Sequence, residues 1–143
     1  MNEHVCAVCS APRHRLAKLC ERCKKLRDRL DTRARRRGTR TDKAARERAL
    51  AVAWAPADNA FRCAYSGVTL NHDPASPWHL TFDHRTARDE SDIVVCAALV
   101  KDMKSDLTLD EFKRVVAQLA ERFAEKRTTI GAFHPAHWRR SAT

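Results

Sequence analysis

The sequence predicts a small α+β protein, in which a metal-stapled helical module precedes a region of short strands and flanking helices. Three observations predict it. Two Cys-x-x-Cys pairs, Cys6/Cys9 and Cys20/Cys23, stand ten residues apart, a spacing that lets four sulfurs surround one Zn²⁺. Trp78, Leu80 and Phe82 alternate with His79, Thr81 and Asp83, the two-residue period of a half-buried strand. Phe112, Val115, Val116, Leu119 and Phe123 fall on one face at helical spacing.

The elements follow in chain order. Residues 1–32 form the zinc module. Leu19, Cys23, Leu26 and Leu30 recur at helical spacing, so the second cysteine pair opens a helix. That start points free amides and the positive dipole end at the thiolates. Four cysteines close the metal shell without His4 or His14, so this zinc serves folding and not chemistry. Residues 33–57 are a basic connector and a helix. The run Arg33-Ala34-Arg35-Arg36-Arg37-Gly38-Thr39-Arg40 extends the first helix as far as Gly38. A second helix starts after Thr41 or Asp42, carries Ala45, Ala49, Leu50 and Trp54 toward a core, and is stopped by Pro56.

Residues 58–128 make the main domain. Residues 61–65 read as a short strand, Ser66-Gly67 as a turn and 71–77 as a loop. The alternating strand then runs to Asp83. After a loop at 85–91, the dense apolar run from Ile93 to about Met103 reads as a helix. Thr108-Leu109-Asp110-Glu111 is a capping box that opens the last helix. Residues 129–143 are a tail containing Trp138-Arg139-Arg140. Cys63 and Cys96 each lack a second cysteine at metal spacing and read as core thiols.

Charge layout points to a partner. The net charge is +10, and residues 1–50 carry all of it, with 16 Lys/Arg against 6 Asp/Glu. A basic segment of this kind matches a polyanion, usually nucleic acid. The bland alternative is a solvated basic arm, which binds phosphate backbones equally well. No apolar run is long enough to span a bilayer and no signal peptide is evident, so a cytoplasmic protein without a membrane role is expected.

Four segments carry a family resemblance. They are Phe61-Arg62-Cys63-Ala64-Tyr65-Ser66-Gly67, Leu80-Thr81-Phe82-Asp83-His84, Ser91-Asp92-Ile93-Val94-Val95-Cys96, and Met103-Lys104-Ser105-Asp106-Leu107-Thr108 with Glu111-Phe112. Together they resemble the successive signatures of the HNH (His-Me finger, ββα-metal) endonucleases, phage-encoded members in particular, across roughly residues 61–112. The resemblance implies a ββα-metal core and hydrolysis of DNA phosphodiester bonds with a divalent cation, Mg²⁺ or another. It makes His84 the general base and Asp83 a metal ligand. Asp92 falls where the family has an Asn that braces the loop. If the chain is phage-encoded, its compartment is the host cytoplasm.

The residue types suit that chemistry. A neutral imidazole takes a proton from water near pH 7, and a carboxylate beside it holds a hard cation through oxygen. Arg33, Arg35, Arg36, Arg37, Arg40 and Arg85 are the expected contacts to DNA, with RNA as an alternative partner. No motif favours monomer over dimer. Lys101 departs from the pattern. It lies three residues before Lys104-Ser105-Asp106, where the family places a metal-binding Asn or His. An ammonium has no lone pair and repels a cation. Two readings follow: an endonuclease with a degenerate metal position, or a catalytically impaired HNH-fold protein that binds nucleic acid in a regulatory role. An ion pair between Lys101 and Asp83 would put the lysine in the metal's place.

Overall fold

The computed structural model describes residues 4–36, 42–86 and 89–125. Helix α1 (Glu21–Arg36) starts on the residue after Cys20, as the cysteine spacing requires. Gly38 lies outside the described residues. Helix α2 (Lys43–Ala53) is capped by Asp42, whose carboxylate accepts from the amides of Ala44 at 2.8 Å and Ala45 at 3.3 Å. The helix ends at Ala53, so Trp54 is not its last core position as the spacing suggested. Trp54–Ala55 instead forms β1, paired antiparallel with β2 (Ala60–Phe61). Pro56 opens a 3₁₀ turn between them, and Asn59 closes it in the left-handed region at φ 48°.

Residues 61–65 are not a continuous strand. Beyond Phe61 the chain folds back: the Gly67 amide donates to Cys63 O and the Cys63 amide to Val68 O, at 2.8 and 2.9 Å. Gly67 has φ +69°, which glycine adopts at no steric cost. The main hairpin comes from later residues. Strand β3 (Leu80–His84) pairs antiparallel with β4 (Ile93–Ala97), in a register that sets Asp83 opposite Val94 and His84 opposite Ile93. The helix expected over Ile93–Met103 is thus a strand followed by a shorter helix, α3 (Ala98–Lys104). Ile93, Val94 and Val95 are β-branched and stiff, and they suit a pleated surface better than a helix. Trp78 is buried but precedes the strand.

Helix α4 (Leu109–Glu125) opens with the predicted capping box. The Thr108 amide donates to Glu111 Oε2 at 2.8 Å, and the Glu111 amide donates back to Thr108 Oγ1 at 3.3 Å. Of its apolar face only Phe112 is buried; Val115, Val116, Leu119 and Phe123 remain exposed.

One buried cluster joins the parts. It runs from Cys6, Cys20 and Cys23 through Leu50 and Phe61 to Leu80, Val95 and Cys96. Polar ties reinforce it at the α1–α2 contact. Glu47 accepts from Lys18 at 2.5 Å and from Arg27 at 2.6 Å. Arg22 lies over the Trp54 ring, 4.9 Å from its centroid. No described helix is long and apolar enough to cross a membrane.

Candidate functional sites

The four cysteines converge as their spacing demands. The Sγ atoms of Cys6, Cys9, Cys20 and Cys23 all lie within 4.8 Å of one another, and all four residues are buried. Cys9 Sγ is 3.6 Å from the sulfurs of both Cys20 and Cys23. A Zn–S bond of about 2.3 Å puts the sulfurs of a tetrahedral site about 3.8 Å apart, so the donor set fits a structural ion such as Zn²⁺. Two local features hold the first pair. Ser10, in the left-handed region, lets the chain double back so that its amide reaches Cys6 O at 3.0 Å. Arg13 then threads the following loop, donating to Val5 O at 2.6 Å and to the carbonyl of Ala17.

The thiol chemistry agrees with a bound cation. Burial raises the Cys6 thiol, but amide donors from Cys20, Cys9 and Val8 outweigh it and bring its pKa down to about 6. Burial pushes the Cys20 and Cys23 thiols up, and their neighbouring sulfurs push Cys23 further. Four thiolates in such a space repel one another unless a cation neutralises them.

The second site is the corner where β3 ends. Asp83 is nearly buried, and its Oδ2 accepts from Tyr65 Oη at 2.8 Å. The same oxygen is 3.3 Å from Lys104 Nζ, and the Lys104 side chain is only 5% exposed. Burial raises the Tyr65 hydroxyl pKa, and the hydrogen bond to Asp83 raises it further. Burial likewise pushes up the Cys96 thiol, with the Asp83 charge adding to it. His84 is about one-third exposed, and its Nε2 is 3.3 Å from Glu90 Oε1.

The α3 lysines brace the edge of β3. Lys101 Nζ donates to Phe82 O at 2.7 Å, and Lys104 Nζ to His84 O at 3.3 Å. Carbonyls two residues apart lie on the same strand edge, and side chains three apart lie on the same helix face, so one turn of α3 matches one step of β3. The ion pair to Asp83 is therefore made by Lys104, while Lys101 is held on backbone.

Loop 85–92 is closed by Asp92. Its Oδ1 accepts from Arg85 at 2.7 and 2.9 Å, its Oδ2 accepts from Thr86 Oγ1 at 2.7 Å, and its backbone O accepts from the Arg85 amide at 2.9 Å. The hydrogen bonds from Arg85 and then Thr86 hold the Asp92 carboxyl below the usual carboxylate range. Arg85 is half exposed and retains surface access.

This corner does not fit a resident divalent cation. Asp83 is its one buried carboxylate, Oδ2 already serves two donors, and both basic side chains of α3 point ammonium groups at the strand. Among the described residues, the four cysteines are the group of three or more His, Cys, Asp or Glu side chains that converge on a metal-sized space. Of the expected DNA contacts, Arg33, Arg35 and Arg36 fall in the last turns of α1, and Arg37 and Arg40 lie outside the described residues. Sequence reasoning missed Tyr65, Glu90 and Lys104. Tyr65 carried one signal, being the only tyrosine in the chain. Lys104 carried another, one helical turn from Lys101.

No match decides the family. No family model, no curated protein and no solved structure matches the chain. What stands is a small α+β fold with four buried cysteines positioned to hold a structural metal.

Proposed function

We propose that the chain is a nucleic-acid-binding protein on an HNH-type ββα scaffold, and that its Asp83–His84 corner no longer works as a metal-dependent nuclease. The observation that carries this is Lys101, tied to Phe82 O at 2.7 Å where the family resemblance calls for a metal-binding Asn or His. Beside it, the Lys104 ammonium is 3.3 Å from Asp83, the carboxylate that the resemblance makes a metal ligand. Binding is supported by the basic first third of the chain, including the arginines that end α1.

One observation favours the second reading, a DNA endonuclease. His84 sits at a strand end, one-third exposed, with the Glu90 carboxylate beside its Nε2. An imidazole so placed can accept a proton from an attacking water. Plasmid incubated with the purified protein and Mg²⁺, Mn²⁺ or Zn²⁺ separates the two. The binding reading expects intact plasmid, together with DNA affinity that falls steeply with salt and survives His84→Ala. Metal-dependent nicking that His84→Ala abolishes would establish the endonuclease instead. Lys101→Asn restores the family's ligand type, and nicking gained by that variant would show that the lysine is what silences the corner.

A further inference from the structure

A groove of about 350 Å³ runs between α2 and β4 and shares Arg85 and Asp92 with the loop beside His84. Ala49, Ala53 and Val94 give it apolar walls, and Trp54 lines it as well. Three arginines border it: Arg48 from α2, Arg62 from the turn after β2, and Arg85 from the loop after β3. The geometry points to a segment of single-stranded nucleic acid as its occupant. This inference rests on the nucleic-acid reading above and gives that reading a strand form and a path.

Size argues first. A volume near the low end of the ~300–1,000 Å³ range of ligand pockets takes one or two splayed bases and excludes a duplex. Charge argues second. Each guanidinium offers five donors in a planar fork suited to phosphate. Arg62 is aimed by Asp58 at 2.5 Å and Arg85 by Asp92 at 2.7 Å, so both are oriented yet keep donors to spare. Arg48 is exposed and makes no ion pair among the described residues. Base chemistry argues third. The apolar walls and the arginine planes are surfaces on which unstacked bases rest.

Position completes the argument. Ile93 lines the groove and pairs with His84 across the hairpin, and Arg85 directly follows His84. A strand in the groove would therefore leave it beside the Asp83–His84 corner. An acidic peptide is the rival occupant, and it would bind by adding to the outer edge of β4. That edge is already engaged at Val95, whose O accepts from the Ala64 amide at 2.8 Å.

The test uses the full-length zinc-loaded protein and fluorescence anisotropy, with a labelled twelve-residue oligothymidylate and a duplex of the same length. Arg48→Glu reverses a rim charge. Val52→Glu puts a carboxylate at the groove on a residue that is 86% exposed, so folding is spared. Each variant is expected to weaken single-strand binding at least fivefold and duplex binding less than twofold, with zinc content and thermal unfolding unchanged. Equal weakening of both forms, or silent variants on a wild type that binds both, would overturn the groove and leave nucleic-acid binding standing. A wild type with no affinity for either form at low salt would sink both readings. Displacement of the oligonucleotide by oligoglutamate at equal charge concentration would hand the groove to an acidic peptide.

Discussion

Asp83 and Lys104 form a buried ion pair with two further hydrogen bonds, from Tyr65 to Asp83 and from Lys104 to His84 O. Such a pair contributes little net stability over an apolar alternative, yet breaking it from one side strands a charge and costs about 3–5 kcal/mol. Lys104→Met is expected to fall in that range in urea unfolding. Asp83→Asn keeps an acceptor for Tyr65 while removing the charge, so Lys104→Met combined with Asp83→Asn should recover at least half of the loss. A double mutant as unstable as the single-site losses added together would show that the two groups are not coupled. The same residues show how far the sequence could be read. Counting back from Lys104-Ser105-Asp106 singled out Lys101, but only the start of α3 at Ala98 and the step along β3 decide which lysine reaches Asp83. Glu90 had no signal of its own, since nothing in the loop sequence separates it from its acidic neighbours Asp89 and Asp92. Ser105 sits at φ 47°, a conformation glycine takes more easily and one that no sequence pattern announced.

At the scale of elements, alternation and capping were legible and a continuous apolar run was not. The two-residue period at 78–83 found β3, and the Thr108/Glu111 pattern found the start of α4. The run Ile93-Val94-Val95-Cys96-Ala97-Ala98-Leu99-Val100 has no period to separate strand from helix. Its pairing with β3 is tertiary information, and β-branching at its first three residues was the one local clue. The loop between the strands depends on Asp92, and that dependence has a sign. Arg85 and Thr86 lower the carboxyl pKa in the folded state. A lowered folded pKa means the unfolded chain binds the proton first as pH falls. The stabilisation is thus complete above the ordinary carboxylate range near pH 4 and lost as pH drops through the lower folded value. The protection factor of the Arg85 amide, bonded to Asp92 O, should hold steady from pH 7 to 5 and fall below about pH 4. In Asp92→Asn it should be low throughout and flat with pH. A fall centred near pH 6 would exclude Asp92 as its cause.

For the molecule as a whole, the question is whether the metal module and the hairpin region stand or fall together. The cysteine pairs announced the module, but the sequence divided the chain at residue 32 and could not show what crosses that line. Much does: the buried cluster containing all four cysteines also contains Leu50, Phe61 and Leu80. Arg22, two residues after Cys20, covers the Trp54 ring, and Glu47 of α2 ties down Lys18 and Arg27. The energies are lopsided. Structural zinc binding contributes about 10–16 kcal/mol in small peptides, while whole domains are stable by only about 5–15 kcal/mol. Chelation should therefore do more than lower the melting temperature by a few degrees. It should release the start of α1, uncover Trp54 and unfold the β3–β4 hairpin in the same transition. Circular dichroism, tryptophan emission and hairpin amide protection, followed during titration with a strong chelator, should trace one coincident curve and reverse together on adding Zn²⁺. Loss of the helical and tryptophan signals with hairpin protection retained would mean two separable units. In that case the Arg22 and Glu47 contacts would be docking contacts between folded parts, and the +10 charge of the N-terminal third would belong to an arm able to bind nucleic acid without the rest of the fold.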